Sequence, residues 1–134
     1  MGKEQSNGCP VPVGTLLIIG GAENKGEKEA KEKETPVDFI RLEVLKAFIK
    51  LIGKKDPVLE VITSATSDGG GTFKGYQKAF HELGVKNIGH IHHAARKELL
   101  QDETLMERIV GADAVFFAGG DQLKYTSIYG GTDF

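Results

Sequence analysis

The sequence predicts an α/β fold: a three-layer αβα arrangement built on a parallel, doubly wound sheet. Three observations carry this. Short strand-like runs alternate along the chain with amphipathic stretches of helical spacing, the links between them are short, and the first run is unbroken and bounded by glycines, as suits a strand covered on both faces. The resulting βαβαβαβ order places helices on both faces of one sheet. Right-handed crossovers leave few topologies, and the most economical is strand order 3-2-1-4, with the first and fourth predicted strands adjacent at the centre.

Each element follows from local chemistry. Residues 1–13 form a polar leader. Leu16, Leu17, Ile18 and Ile19 make a short buried strand that Gly20 and Gly21 close. From Glu23 to Glu34 lysine and glutamate alternate with almost no apolar residue, which reads as a solvated loop. A helix is expected over 39–52, with Asp38 accepting from the free amides of its first turn. Its stripe is Ile40, Val44, Leu45, Phe48, Ile49 and Ile52, and Gly53 supplies a left-handed stop. A second strand covers 58–63. Thr72 is expected to cap a helix whose Phe73, Tyr76, Phe80 and Leu83 share a face before Gly84. A third strand covers 87–92. Asp102 is expected to cap a helix with Leu105, Met106, Ile109 and Val110 inward and Gly111 at its end. A fourth buried strand, 114–118, runs directly into Gly119, Gly120, Asp121 and Gln122.

Size and charge narrow the function classes. A chain of 134 residues is at most one domain with a real core. Its hydrophobic share of 40% and charged share of 27% are those of an ordinary globular protein. A net charge of -2 offers no global attraction to nucleic acid or acidic membranes. No apolar run approaches the roughly 20 residues that span a bilayer. The first residues lack the apolar stretch of a secretion signal. Cys9 is the one cysteine, so no internal disulfide forms. A reducing cytoplasm is the expected compartment, and a secreted mature form fits the same residues.

Ligands of such sheets bind beyond the carboxyl ends of the strands, where strand order reverses. With order 3-2-1-4 that point lies between the first and fourth strands, which both end in glycine pairs, Gly20–Gly21 and Gly119–Gly120. Glycine lets a substrate approach the backbone closely, so two such turns can present amide hydrogens to a carbonyl or oxyanion. Each pair alone also reads as a tight strand-to-helix turn.

A family resemblance enters through the run from Gly119 to Ser127, followed by Gly130, Gly131 and Thr132. It resembles the segment that cyanophycinases carry after a central strand. The opening run from Leu17 to Lys25 is similar to that family's first strand and turn. The hydroxyl-rich stretch 63–67 and the Tyr76-to-Phe80 helix match the region after its second strand. The resemblance covers about residues 14–134 in consistent order. It implies a class I glutamine amidotransferase-like fold, and a serine peptidase that cuts cyanophycin or related aspartyl and isoaspartyl peptides into β-Asp-Arg dipeptides. It implies that the turn at Gly120 and Asp121 contributes to an oxyanion hole, with Gly119 beside it, and that Gln122 helps bind substrate. A neutral amide pairs with a peptide without adding a charge to desolvate. As a helix N-terminal residue, Gln122 can equally bond its own backbone. Gly20, Gly21, Ser64, Thr126 and Ser127 are placed at the rim of the site. No cofactor and no metal are implied. The implied partners are a peptide substrate and, in the full-length form, a second copy in a homodimer, with no nucleic acid and no membrane.

The resemblance also implies what is not in the chain. The family's nucleophilic serine lies on a glycine-flanked strand-to-helix turn, followed by an acid and a histidine. Ser6, Ser64, Ser67 and Ser127 all lack those flanking glycines. The triad is therefore expected after Phe134, 14–134 is read as the N-terminal half of the domain, and the chain alone is expected to be inactive. Its fourth strand is then expected to be an unprotected edge and the chain to associate, unless it belongs to a longer protein. Two alternatives of another kind are a noncatalytic module holding a small anion or phosphate at residues 69–72, and an interaction subunit completed by another chain. His90 and His92 share a face, but no third metal ligand of fitting spacing accompanies them, and they read with His93 as solvent-side or strand-end residues. Arg96, Lys97 and Glu98 read as solvated surface. No histidine is foreseen near Ser64.

Overall fold

The computed structural model describes residues 13–20 and 42–134. Their elements run α1 (Glu43–Ile52), β1 (Val58–Ile62), α2 (Gly69–Glu82), β2 (Asn87–Ile91), α3 (Arg96–Leu100), α4 (Leu105–Gly111), β3 (Ala114–Phe117) and α5 (Gln122–Tyr129). The expected cap Asp38, the stripe residue Ile40, Gly21 and the charged stretch 23–34 lie outside the described residues.

The sheet is parallel, as expected, with order β2-β1-β3. Side chains of β1 alternate between its faces. Leu59 and Val61 pack with Leu45 of α1, with Tyr76, Ala79 and Phe80 of α2, and with Phe116 of β3. Ile62 packs with Ile91, Leu99 of α3, Leu105 of α4, and Ile128 and Tyr129 of α5. These are two cores on opposite faces of one sheet, and the three-layer αβα reading holds. On the first face the Phe116 ring sits 5.3 Å from Phe48, 5.5 Å from Phe80 and 4.9 Å from Tyr76. Offset and edge-on aromatic contacts of this kind add to the burial term.

The strand order differs from the expected 3-2-1-4. The predicted second strand, β1, pairs directly with the predicted fourth, β3, through register Leu59↔Ala114 to Ile62↔Phe117. The predicted first strand is not part of the sheet. Residues 13–20 form no strand, and Leu16 and Ile18 are each 84% exposed. Only Ile19 packs on the first core. Economy of connection could not rank two apolar runs competing for the centre; β1 holds both of its neighbours and is buried from Leu59 to Ile62, so the central place is filled. The opening run instead borders an apolar groove of about 580 Å³ against α1 and β3, with Phe48, Leu51, Val115 and Phe117 on the far wall.

One charged pair is built into the second face. Glu60 of β1 is buried, and Arg108 of α4 binds both of its oxygens, at 3.1 Å and 2.6 Å. The same guanidinium donates to the His90 carbonyl at 2.9 Å. Gly89 lies opposite Glu60 in the ladder, and a Cβ there would strike the carboxylate. The glycine is what leaves room for the acid.

Helix limits depart from the sequence reading in five places. Helix α1, expected from residue 39, begins at Glu43, and Leu42 before it has a left-handed φ of 60°. Helix α2 begins at Gly69, capped by Asp68 rather than Thr72: the Asp68 carboxylate accepts from the Gly71 amide at 3.1 Å. Asp at the cap supplies the acceptor that the free first-turn amides need, which outweighs the weak propensity of the glycine run. Helix α4 starts after Thr104, although Asp102 does bond that turn through the Thr104 amide and hydroxyl. Met106 and Val110 point outward, because this short helix turns its face about Leu105 and Ile109. Residues 96–98, read as plain surface, open helix α3, which buries Leu99. Residues 122–129, for which a helix beginning at Gln122 was one of two readings, form α5. The expected stops at Gly53 and Gly84 are observed, with φ of 65° and 92°.

Candidate functional site

Order β2-β1-β3 places the reversal of strand order between β1 and β3. The crossover through α2 leaves on one face and the crossover through α3 and α4 returns on the other. A ligand crevice therefore belongs outside the carboxyl ends of those two strands. The reversal lies between different strands from those expected, and still takes in Gly119 to Gln122.

Two turns face each other there. One follows β1 at residues 63–66, and the other follows β3 at 118–121. They are bonded to each other: the Asp121 amide donates to the Ala65 carbonyl at 3.0 Å, and the Ala118 amide to the Ile62 carbonyl at 2.9 Å. The close approach needs glycine. Gly120 has φ of 152°, and a Cβ on it would sit 2.5 Å from the Ala65 carbonyl oxygen. Gly119 and Gly120 are exposed, and their amides donate to no other described residue.

The residues foreseen at the site divide by what they already hold. Asp121 caps α5, its carboxylate accepting from the Leu123 amide at 3.0 Å. Its own amide is engaged by Ala65, so the expected donor pair Gly120–Asp121 is reduced to Gly120 unless that bond opens. Gln122 is the exposed first residue of α5. Thr126 and Ser127 are exposed too, but their hydroxyls donate to carbonyls of their own helix, Leu123 and Lys124. Gly20 is exposed with open space around it, and Gly21 lies outside the described residues.

Ser64 is not at a rim. It is 2% exposed, and sequence reasoning missed what surrounds it. Its hydroxyl lies 2.7 Å from the Tyr129 hydroxyl and accepts from the His93 amide at 2.9 Å. The Tyr129 hydroxyl lies 2.8 Å from His93 Nδ1, and His93 Nε2 lies 2.9 Å from Asp102 Oδ2. His93, foreseen as a surface or strand-end residue, is 4% exposed. The hydrogen bond from His93, followed by those from Thr104, holds the Asp102 carboxyl below the usual carboxylate range. Burial raises the Tyr129 phenol above its ordinary value. Only helix α5 brings Tyr129 to this place, which is why spacing along the chain could not reveal a histidine near Ser64.

His90 and His92 share one partner, as their common face suggested. The buried Thr63 hydroxyl lies 2.8 Å from His90 Nε2 and 2.9 Å from His92 Nδ1. His90 stacks on Phe73 at 4.3 Å, and burial, then the neighbouring His92, lowers its pKa. A side chain at Gly69 would strike the His92 ring, so the start of α2 lies directly on it. Among the described residues no group of three or more ligating side chains is placed to hold a metal. The N-terminus of α2, the anion site of the alternative reading, already holds the Asp68 carboxylate. No described helix is long and apolar enough to cross a membrane.

No protein-family model matches the chain. Two curated proteins do: the cyanophycinases of Synechococcus elongatus and of Thermosynechococcus vestitus, each 26% identical over 115 residues. The aligned stretch is 86% of this chain and 31% of each relative, so the chain spans about a third of the length of the curated relatives it matches. The chain is thus similar to cyanophycinases over most of its length, and its parallel α/β architecture agrees with the fold that its motifs implied.

Proposed function

We propose that this chain supplies the substrate-holding and oxyanion-stabilising part of a cyanophycinase-like hydrolase acting on cyanophycin or related aspartyl and isoaspartyl peptides. The observation that carries the reading is the Gly119–Gly120 turn: two exposed amides with no described acceptor, at the switch point of the sheet, between residues that are themselves tied down. Rigid backbone donors aimed at a developing oxyanion are worth about 3 kcal/mol each when they act on a tetrahedral intermediate. Gln122, at the start of α5, offers both a donor and an acceptor to a peptide group passing the same turn.

The described serines do not supply a nucleophile in this reading. Ser64 is buried within the Tyr129 and His93 bonds, Ser127 lies inside α5, and the exposed Ser67 hydroxyl has no described residue bonded to it that could act as its base. Serine, acid and histidine then come from residues outside this chain, and hydrolysis by the chain alone is absent. The test titrates the labelled chain with β-Asp-Arg and, separately, with phosphate, and assays dipeptide release from cyanophycin. Shifts at Gly119, Gly120 and Gln122 with the dipeptide, no release, and loss of those shifts in Gly120→Ala are expected. Dipeptide release by the chain, or shifts with phosphate alone at residues 69–72, overturns the reading.

A further inference from the structure

Ser64, Tyr129, His93 and Asp102 form a circuit whose proton directions follow from what each atom can do. The Asp102 carboxylate only accepts, so His93 Nε2 carries a hydrogen and donates to it at 2.9 Å. If His93 Nδ1 holds a lone pair, the Tyr129 hydroxyl donates to it at 2.8 Å. The Tyr129 oxygen is then free to accept the Ser64 hydroxyl at 2.7 Å, and the Ser64 oxygen accepts the His93 amide at 2.9 Å. Every donor has an acceptor, and no buried polar side-chain atom among the described residues is left without a partner. The opposite direction fails. With a hydrogen on Nδ1 the Tyr129 hydroxyl must turn to Ser64, and the Ser64 proton then points into a core with no further acceptor in the circuit. An unsatisfied buried hydroxyl is costly.

The placement of these groups matters as much as their saturation. Ser64 follows β1, His93 follows β2, Asp102 precedes α4 and Tyr129 ends α5. The same helix is tied again at Tyr125, whose hydroxyl lies 2.6 Å from the Ala118 carbonyl and 2.9 Å from that of Ile62. Its first turn is tied by the Asp121 amide to Ala65. Arg96 holds its C-terminal end by donating to the Gly130 carbonyl at 2.6 Å. A helix of eight residues is thus held along its whole length, and the untied backbone is the Gly119–Gly120 turn in front of it.

We infer that Ser64, Tyr129, His93 and Asp102 act together as a positioning unit, a one-way hydrogen-bond circuit that locks α5 against the strand ends and so fixes the direction of the Gly119 and Gly120 amides. None of the four is a catalytic residue in this assignment: they touch no substrate and act through the turn. The inference rests on the proposed function only in taking that turn as the donor site.

The experiment uses the whole 134-residue chain, isotopically labelled and free of ligand. Long-range nitrogen–proton spectra are expected to show His93 protonated at Nε2 and bare at Nδ1, with a slowly exchanging Tyr129 hydroxyl proton. A hydrogen on Nδ1 instead overturns the circuit. In Tyr129→Phe the Gly119 and Gly120 amide signals are expected to shift or broaden. The α5 amides should exchange roughly tenfold faster, while Val61 and Ile62 in β1 keep their protection, as local rather than global opening predicts. Ser64→Ala leaves the Tyr129–His93 bond in place, covers the case in which the tyrosine variant folds poorly, and should move the same signals less. Unchanged Gly119 and Gly120 signals in the folded variants, or equal loss of protection in β1, overturns the positioning role. All of these readouts are taken without peptide. If the dipeptide fails to bind while they hold, the substrate reading falls and the anchor stands.

Discussion

The carboxyl end of the sheet and the outer flank of β3 treat their side chains in opposite ways. At the strand ends, Thr63, Ser64 and His93 are nearly or wholly buried, and each has its hydrogen-bond partners within the protein. On the flank, Leu16, Ile18 and Leu51 are largely exposed beside an apolar groove, and the hydrophobic run 16–19 lies outside the sheet. The first region draws its rigidity from saturated polar contacts, which are costly to break singly because burial leaves the survivor unpaired. The second holds apolar surface with little to cover it among the described residues, where single changes cost little. Polarity is thus a poor guide to exposure in this molecule. The most deeply held groups near the site are hydroxyls and an imidazole, and the open patch is aliphatic.

Substitution can break or sharpen that contrast. The largest effect is expected from Arg108→Ala, which strips the buried Glu60 carboxylate of both side-chain bonds. Removing one partner of a buried pair costs about 3 kcal/mol or more, a large part of a small domain's stability, and urea unfolding monitored by circular dichroism measures it. Equal midpoints for variant and wild type would show that water reaches Glu60 freely. Next comes Gly120→Ala, where the added methyl meets the Ala65 carbonyl in a backbone region that L residues rarely adopt. A loss of about 2 kcal/mol is expected from such strain, together with shifted amide signals in the turn after β1.

Titration separates the two regions without mutation. Burial, then the neighbouring Tyr129, pushes the Tyr125 phenol up to about 12 from its ordinary 10.0. Its folded value lies above its unfolded one, so the neutral phenol favours the native state. That contribution is present in full below pH 10.0 and is lost as the pH rises toward about 12. Ultraviolet difference titration should show this late ionisation, and Tyr125 ionising near 10 would mean that its bonds to the strand-end carbonyls are loose. Asp102 behaves in the opposite sense. Its folded pKa lies below the ordinary 3.8, so its contribution is present above that pH and lost as the pH falls through the lower folded value. In Asp102→Asn this part of the acid unfolding curve should flatten. The smallest stability change is expected from Leu16→Lys combined with Ile18→Lys, within about 0.5 kcal/mol as for other open surface sites. If the exposed flank drives association, the same variant should sediment as a smaller species than wild type at equal concentration.

Much of the architecture was legible along the chain. The stretches expected as strands at 58–63, 87–92 and 114–118 each hold one, and of these the unbroken apolar run 114–118 most directly suits a position covered on both faces. The faces of Tyr76 and Phe80 and the stops at Gly53 and Gly84 also emerged as expected. The unbroken run 14–20 did not become the central strand, because β1 already holds β2 on one side and β3 on the other. The turn at Gly119 to Gln122 was visible from its glycines. The circuit around Ser64 was not, since its members lie up to 65 residues apart and meet only when α5 folds back across the strand ends.

What the sequence by itself determined is the alternation of strands and helices, the parallel three-layer class, and glycines at the turn after β3, where the backbone passes close to the Ala65 carbonyl. These depend on side-chain periodicity and steric size, which act between near neighbours. The tertiary structure decided which strand is central, that Glu60 can be buried because Arg108 and Gly89 come to meet it, and that Ser64 faces a tyrosine and a histidine rather than solvent. Those outcomes depend on the desolvation of polar groups and on pairing across the fold, and neither can be read until distant residues share the same space.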